Sequence, residues 1–192
     1  MVDLDNISHI EIINHYFPDI SVYANGPTYN DIVWLDNNPV NNLTLDEKRL
    51  EYSKKLLLDD VMERAEFLRS DAMYRVLGTT DPIQIRVYDD KYKAAKEYKA
   101  NVDANGMQLL GADMPIIIQA ETEITGENPY ALSIGIINDY EFSHNALANF
   151  YGQLEGIRRN FKKKVMQSLD MSQLMQVSDA TFPSADSLQP YS

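Results

Sequence analysis

The sequence predicts a mainly helical α+β protein, in which a small β-hairpin precedes the long helices of an elongated bundle and an extended C-terminal tail follows them. Two short β-rich runs near the N-terminus predict the hairpin. Two long stretches with apolar residues at helical spacing predict the helices, and a charge-poor end of the chain predicts the tail. The expected segments are a head over 1–42, a helical domain over 43–168 and a tail over 169–192.

The head contains a segment of uncertain type followed by a hairpin. Residues 4–16 have isoleucines at a spacing that favours a helix, although this many isoleucines also permit a strand. The runs DISVYA and NDIVWLD then indicate a hairpin, with a loose turn because Pro27 disfavours a two-residue turn. The only tryptophan, Trp34, ends the second run. We expect it to pack over the first turn of the following helix or in an ordinary core.

A long helix is predicted after the head. Thr44 is a good N-cap residue, and Glu47 three residues later completes a capping-box pattern. Apolar residues then recur on one helical face as far as Val76, and Gly78 ends the pattern. A helix of about 33 residues would be about 50 Å long. Because a compact domain of this size is about 30 Å wide, we expect either a break in the helix or an elongated protein.

Prolines mark the beginning of each later helix, because proline suits the first helical position. They are Pro82, Pro115 and Pro129. The first and the last of them follow Asp81 and Asn128, which are good N-cap residues. A loop over 101–113 separates the first two helices. The last helix has an apolar stripe of about 38 residues, which corresponds to about 57 Å.

The charge is negative overall and unevenly distributed. The net charge is −12, no lysine or arginine precedes Lys48, and none occurs over 100–157. Five basic residues then occur close together: Arg158, Arg159, Lys162, Lys163 and Lys164. This balance disfavours broad nucleic-acid binding, which needs a basic face. The basic run by itself predicts docking to an acidic partner surface or to nucleic acid, although cations near a helix C-terminus also simply complement the helix dipole.

The end of the chain provides further candidate partner-binding residues. Methionine and aromatic residues are enriched at protein interfaces, although they suit a core equally well. The candidates in this segment are Met171, Leu174, Met175 and Phe182.

The composition excludes several kinds of site. The absence of cysteine excludes disulfides and cysteine-ligated metals. The longest apolar run is about five residues, and the first residues are acidic, so we expect neither a membrane span nor a secretion signal. Synthesis in a cytoplasm is the default expectation.

The sequence contains no recognisable catalytic or metal-binding motif. His9 and His15 are six residues apart and His144 is remote, which does not match the helical spacing of metal ligands. Phosphate-loop, dinucleotide-binding and hydrolase motifs are absent from the sequence. A small hydrolase that uses Glu121 and Glu123 is a weak alternative. We therefore expect no enzyme activity, no cofactor, no metal and no small-molecule substrate.

Two groups of short segments carry a family resemblance. The first group is HYFPD, DISVYA, DIVWLD, NNPVNN and LTLDEKRLEY, and the second is Met114-Pro115-Ile116, ITG at 124–126 and QLEGIRRNFKKKV at 153–165. In this order they resemble segments of the tail-fibre and tail-accessory proteins of tailed bacteriophages. The resemblance covers about residues 5–168, whereas the loop over 101–113 and the tail have no counterpart.

The resemblance implies a structural role in a virus particle. It implies a component of the virion tail, in the baseplate, fibre or tail-tip region, that is made in the host cytoplasm. The expected partners are other tail proteins and further copies of the same chain, as a homo-oligomer. A tail-fibre assembly chaperone that is absent from the mature virion is the alternative.

Overall fold

The predicted fold class is confirmed in a computed structural model that describes residues 3–26, 28–35, 39–103, 106–109, 111 and 113–178. Within these ranges the chain forms six α-helices and one two-stranded antiparallel sheet. The protein is therefore mainly helical, with a small N-terminal hairpin.

The head consists of one helix and the predicted hairpin. Helix α1 (His9–Tyr16) follows a 3-10 turn and is capped by Ser8, whose hydroxyl oxygen accepts the amide N–H of Glu11 at 3.1 Å. Strands β1 (Val22–Ala24) and β2 (Ile32–Trp34) pair antiparallel, with Val22 opposite Trp34. For residues 4–16, where the sequence left both a helix and a strand open, the chain thus adopts the helix.

Trp34 is half-buried and contacts the hairpin's own connection. Its ring centroid lies 6.2 Å from that of Tyr29, at an interplanar angle of 55°. The Tyr29 hydroxyl donates to the carbonyl oxygen of Val40 at 2.9 Å, in the segment that leads into the next helix. Trp34 is therefore linked to that segment through Tyr29, while its packing over the first helical turn stays a prediction.

Helix α2 (Asn42–Leu77) begins earlier than the capping pattern predicted. The side-chain oxygen of Asn41 accepts the N–H of Thr44 at 2.8 Å, and the Asn41 carbonyl accepts the N–H of Leu45 at 3.2 Å. Asn41 is therefore the N-cap, and the predicted capping box of Thr44 with Glu47 is wrong. The reason is that asparagine at 41 provides an equally good acceptor, which places Thr44 within the first turn.

The next three helices begin where the prolines predicted. They are α3 (Pro82–Ala100), α4 (Ile116–Thr125) and α5 (Pro129–Gln167). The carboxylate of Asp81 accepts the N–H of Ile83 at 2.9 Å, and the side-chain oxygen of Asn128 accepts the N–H of Tyr130 at 2.9 Å. Gly126 ends α4 with a φ of 72°, a conformation that glycine adopts without strain. The local capping chemistry thus sets these boundaries.

Part of the predicted extended tail is helical. Helix α6 (Met171–Ser178) follows Asp170, whose carboxylate accepts the N–H of Gln173 at 2.8 Å. Met171, Leu174 and Met175 share one face of this helix, and Leu174 on that face is fully buried. Residues 179–192, which include the candidate partner residue Phe182, lie outside the described ranges.

The chain divides into two compact units. Among the described residues, unit 1 comprises those up to 67 and 154–178, and unit 2 comprises 68–153. The division falls within α2 and within α5. The predicted boundaries after residues 42 and 168 stay a prediction.

Each unit has buried apolar residues of its own. In unit 2, Ala95 of α3, Ile118 of α4 and Ile137 of α5 form a core cluster. In unit 1, buried residues come from α1, α2, α5 and α6, namely Ile12, Ile13, Leu45, Leu57, Val61, Leu154, Val165 and Leu174. Across the described part of the chain, each helix is too short or too polar to cross a membrane.

Candidate binding surfaces

Unit 2 contains a mostly apolar groove formed by the end of α2, by α3 and by α5. Its volume is about 560 Å³, within the usual range of ligand and peptide sites. The apolar and aromatic lining residues are Met73, Val76, Leu77, Ile85, Tyr88, Ile136, Tyr140, Leu147 and Tyr151. We refer to this surface as the groove.

Stacked rings hold one wall of the groove. The centroids of Tyr92 and Tyr140 are 4.0 Å apart, with 13° between the ring planes. The centroids of Tyr140 and His144 are 5.7 Å apart, with 9° between their planes. Because Tyr140 and His144 are one helical turn apart on α5, the helix itself sets this stack.

Two tyrosine hydroxyls connect α3 to α5 beside the groove. The Tyr140 hydroxyl donates to Oδ1 of Asp89 at 2.8 Å, and the Tyr92 hydroxyl donates to Oε1 of Glu141 at 3.0 Å. The hydrogen bond to Asp89, together with burial, raises the pKa of Tyr140 above its usual value. The position of Tyr140 is therefore fixed by both the bond and the stack.

The charged residues that line the groove differ in whether they are paired. Asp89 accepts the Tyr140 hydroxyl, and Lys91 forms an ion pair with Glu121 at 2.7 Å. Asp139 also lines the groove and is exposed, and it has no hydrogen-bond or ion-pair partner within the described part of the chain. The groove therefore presents one open carboxylate among apolar side chains.

The weak enzymatic alternative named Glu121 and Glu123. Glu121 is paired with Lys91, and Oε1 of Glu123 accepts the side-chain amide of Gln119 at 2.9 Å. Both carboxylates are thus bound by neighbouring residues, and neither lines the groove.

The histidines lie in different surroundings. Nε2 of His9 is 3.3 Å from Asp46, and the ring of His15 is 4.8 Å from that of Tyr52, whereas His144 stacks on Tyr140. Among the residues that the structure describes, no group of three potential ligands could hold a metal ion.

The two arginines of the predicted basic run are held by a carboxylate of the same helix. Arg158 donates two hydrogen bonds of 2.7 Å to Glu155, and Arg159 donates a third of 2.8 Å. These bonds lower the pKa of Glu155 to about 2. A further contact of 3.2 Å joins Arg158 to the sulfur of Met62. The arginines are therefore bonded to Glu155 within unit 1, and their part in partner binding stays a prediction.

The lysines of the run are placed differently. Lys162, Lys163 and Lys164 are exposed and have no side-chain partner within the ranges described. They lie near the C-terminal end of α5, where cations complement the helix dipole. Their part in partner binding stays a prediction.

The candidates on α6 have different exposures. Met171 and Met175 are half-buried, whereas Leu174 has 0% of its surface exposed. Its assignment as a partner-binding residue is therefore wrong, because the side chain is enclosed in the fold of unit 1.

The groove itself was not predicted from the sequence. The apolar stripes that contain Tyr88, Tyr140 and Tyr151 are visible in the sequence, but a stripe does not show whether another helix covers it. The sequence signal that could have indicated the groove is the repeated tyrosine on the apolar faces of two helices, because tyrosine is enriched at interfaces.

The chain matches no protein-family model, no curated protein and no solved structure.

Proposed function

We propose that this chain is a structural component of a bacteriophage tail, in the baseplate, fibre or tail-tip region, and that it joins neighbouring subunits there. The groove is the single observation that carries an assembly role. Its apolar walls are open, and three of its polar groups are bonded, Tyr140 to Asp89 and Lys91 to Glu121, so a partner would mainly bury apolar surface. Such burial contributes about 25 cal/mol per Å².

Exposed apolar side chains elsewhere in unit 2 support the same role. Ile83 is 74% exposed, Ile116 83%, Ile124 86% and Phe142 65%. Isolated exposed apolar residues are common on monomeric proteins. Together with an apolar groove they fit a protein that other subunits cover in an assembly.

The proposed role is not catalytic. Of the polar groups that line the groove, the Tyr140 hydroxyl and Asp89 are bonded to each other, and Lys91 is paired with Glu121. The proposed partners are other tail proteins and copies of this chain. The segments from HYFPD through LTLDEKRLEY, and the segment QLEGIRRNFKKKV, resemble segments of phage tail-fibre and tail-accessory proteins. This resemblance supports placing the assembly in a phage tail.

The composition of purified virions tests this proposal. The chain should be found by quantitative mass spectrometry at a constant ratio to the tail proteins through successive density gradients. Its absence from virions would overturn the structural role. Absence from virions, combined with recovery on fibre subunits from infected cells, would instead establish the assembly chaperone.

A further inference from the structure

The shape of the groove suits a helix. The lining residues of α5 run from Ile136 to Tyr151, a distance of about 22 Å at 1.5 Å per residue. Apolar residues of α2 and α3 also line the groove. An amphipathic helix of about 15 residues has the same length and presents its apolar side chains along one face.

The charge of the groove specifies the occupant further. Asp89 and Lys91 already have partners, whereas Asp139 is open. A partner that covers the groove would remove water from the Asp139 carboxylate, which is costly unless a cation replaces the water. The rings of Tyr88 and Tyr140 also line the groove and suit the apolar stem of an arginine or lysine.

The chain's own basic and C-terminal segments do not meet these requirements. Residues 179–192 include Asp179 and Asp186 and contain no lysine or arginine, so their charge opposes binding next to Asp139. The basic run has apolar neighbours, but Phe161 and Val165 are buried in unit 1.

We infer that the groove binds an amphipathic helix of another protein, with apolar side chains along α5 and one arginine or lysine against Asp139. This inference rests on the proposed assembly function for the source of the helix. Its test uses the full chain and synthetic helices, so that it can fail while the virion test succeeds, and the reverse.

The probes are fluorescent helical peptides of about 15 residues with a leucine face and a single arginine. The arginine is moved along the flank of that face in a panel, and each peptide has counterparts with glutamine and with glutamate. Binding is measured by anisotropy. The best arginine peptide should bind about tenfold more tightly than its glutamate counterpart.

Three protein variants identify the site. Asp139→Asn should abolish the preference for arginine, and Tyr88→Ser should weaken all peptides by a similar factor. Glu127→Gln, an exposed carboxylate of unit 2 that does not line the groove, should change neither. Circular dichroism confirms that each variant is folded.

Several results would overturn the inference. One is the absence of binding at about 1 mM of every peptide. Another is a preference for arginine that persists in Asp139→Asn. Competition by a synthetic peptide of residues 179–192 would identify the chain's own tail as the occupant. Self-association that Tyr88→Ser abolishes would identify a second copy.

Discussion

The groove of unit 2 and the basic run of unit 1 present opposite kinds of surface to a partner. The groove is mostly apolar, and the Tyr140 hydroxyl and Lys91 are bonded within the unit. The basic run is polar, with its arginines bound to Glu155 and its lysines exposed. Apolar burial depends little on salt, whereas exposed charges are screened over about 8 Å at physiological ionic strength. Apolar burial in the groove would therefore contribute mainly to the affinity for a partner. The exposed lysines would contribute mainly to the electrostatic steering of an acidic partner.

The largest expected effect concerns Leu174 of α6, in unit 1, the unit that also contains the basic run. Leu174→Ala should lower the free energy of unfolding by about 2–5 kcal/mol, because it removes a fully buried side chain. Urea denaturation measures the change. Leu169→Ala is the matched control, since Leu169 is 81% exposed and should change stability by less than about 0.5 kcal/mol. Small effects of both variants would show that α6 is not packed.

The beginning of α2 gives the next effect. Asn41→Ala should lower the free energy of unfolding by about 1 kcal/mol, because it removes the acceptor of the Thr44 N–H. Thr44→Ala is the control and should have a smaller effect, since Thr44 lies inside the helix. A larger loss of stability in Thr44→Ala than in Asn41→Ala, measured by urea denaturation, would support the capping box that the sequence predicted.

A smaller effect is expected at the groove. Tyr140→Phe removes the donor to Asp89 and should lower the free energy of unfolding by about 0.5–1.5 kcal/mol. The same change at Tyr74, which is 63% exposed, should have almost no effect. If Tyr140→Phe and Tyr74→Phe lowered stability equally in thermal and urea denaturation, the bond between α3 and α5 would not hold the groove wall.

The smallest effect concerns the titration of Glu155. Its pKa, followed by NMR of the side-chain carboxyl carbon, should be about 2 and should rise toward 4.5 in the variant Arg158→Ala/Arg159→Ala. Because the pKa in the folded state is depressed, the interaction stabilises the fold above pH 4.5 and is lost as the pH falls toward 2. Lys163→Ala should leave this pKa unchanged. An ordinary pKa in the wild-type protein would contradict the described bonds.

Local chemistry made much of the fold predictable from the sequence. Asp81 and Asn128 cap their helices where expected, because the cap and the following proline act within a few residues. The hairpin was also predictable from two β-rich runs. Capping became ambiguous where two good acceptors were available, at Asn41 and Thr44, and the sequence pattern selected the wrong one.

Features that depend on tertiary packing were not predictable. The helix that contains Leu174 has a visible cap at Asp170, but a sequence pattern does not show whether other elements cover its apolar face. The stripes that contain Tyr88 and Tyr140 looked the same whether they formed a core or a groove. The pairing of Arg158 and Arg159 with Glu155 could have been found from the three- and four-residue spacing.

A density map of the intact phage particle tests the central claim most directly, because it shows both the location of the chain and what covers the groove. We expect copies of this chain in the tail, each with a helix of a neighbouring protein lying along α5 and a basic side chain next to Asp139. A tail map in which the groove faces solvent in every copy, or which contains no density for this chain, would contradict the account.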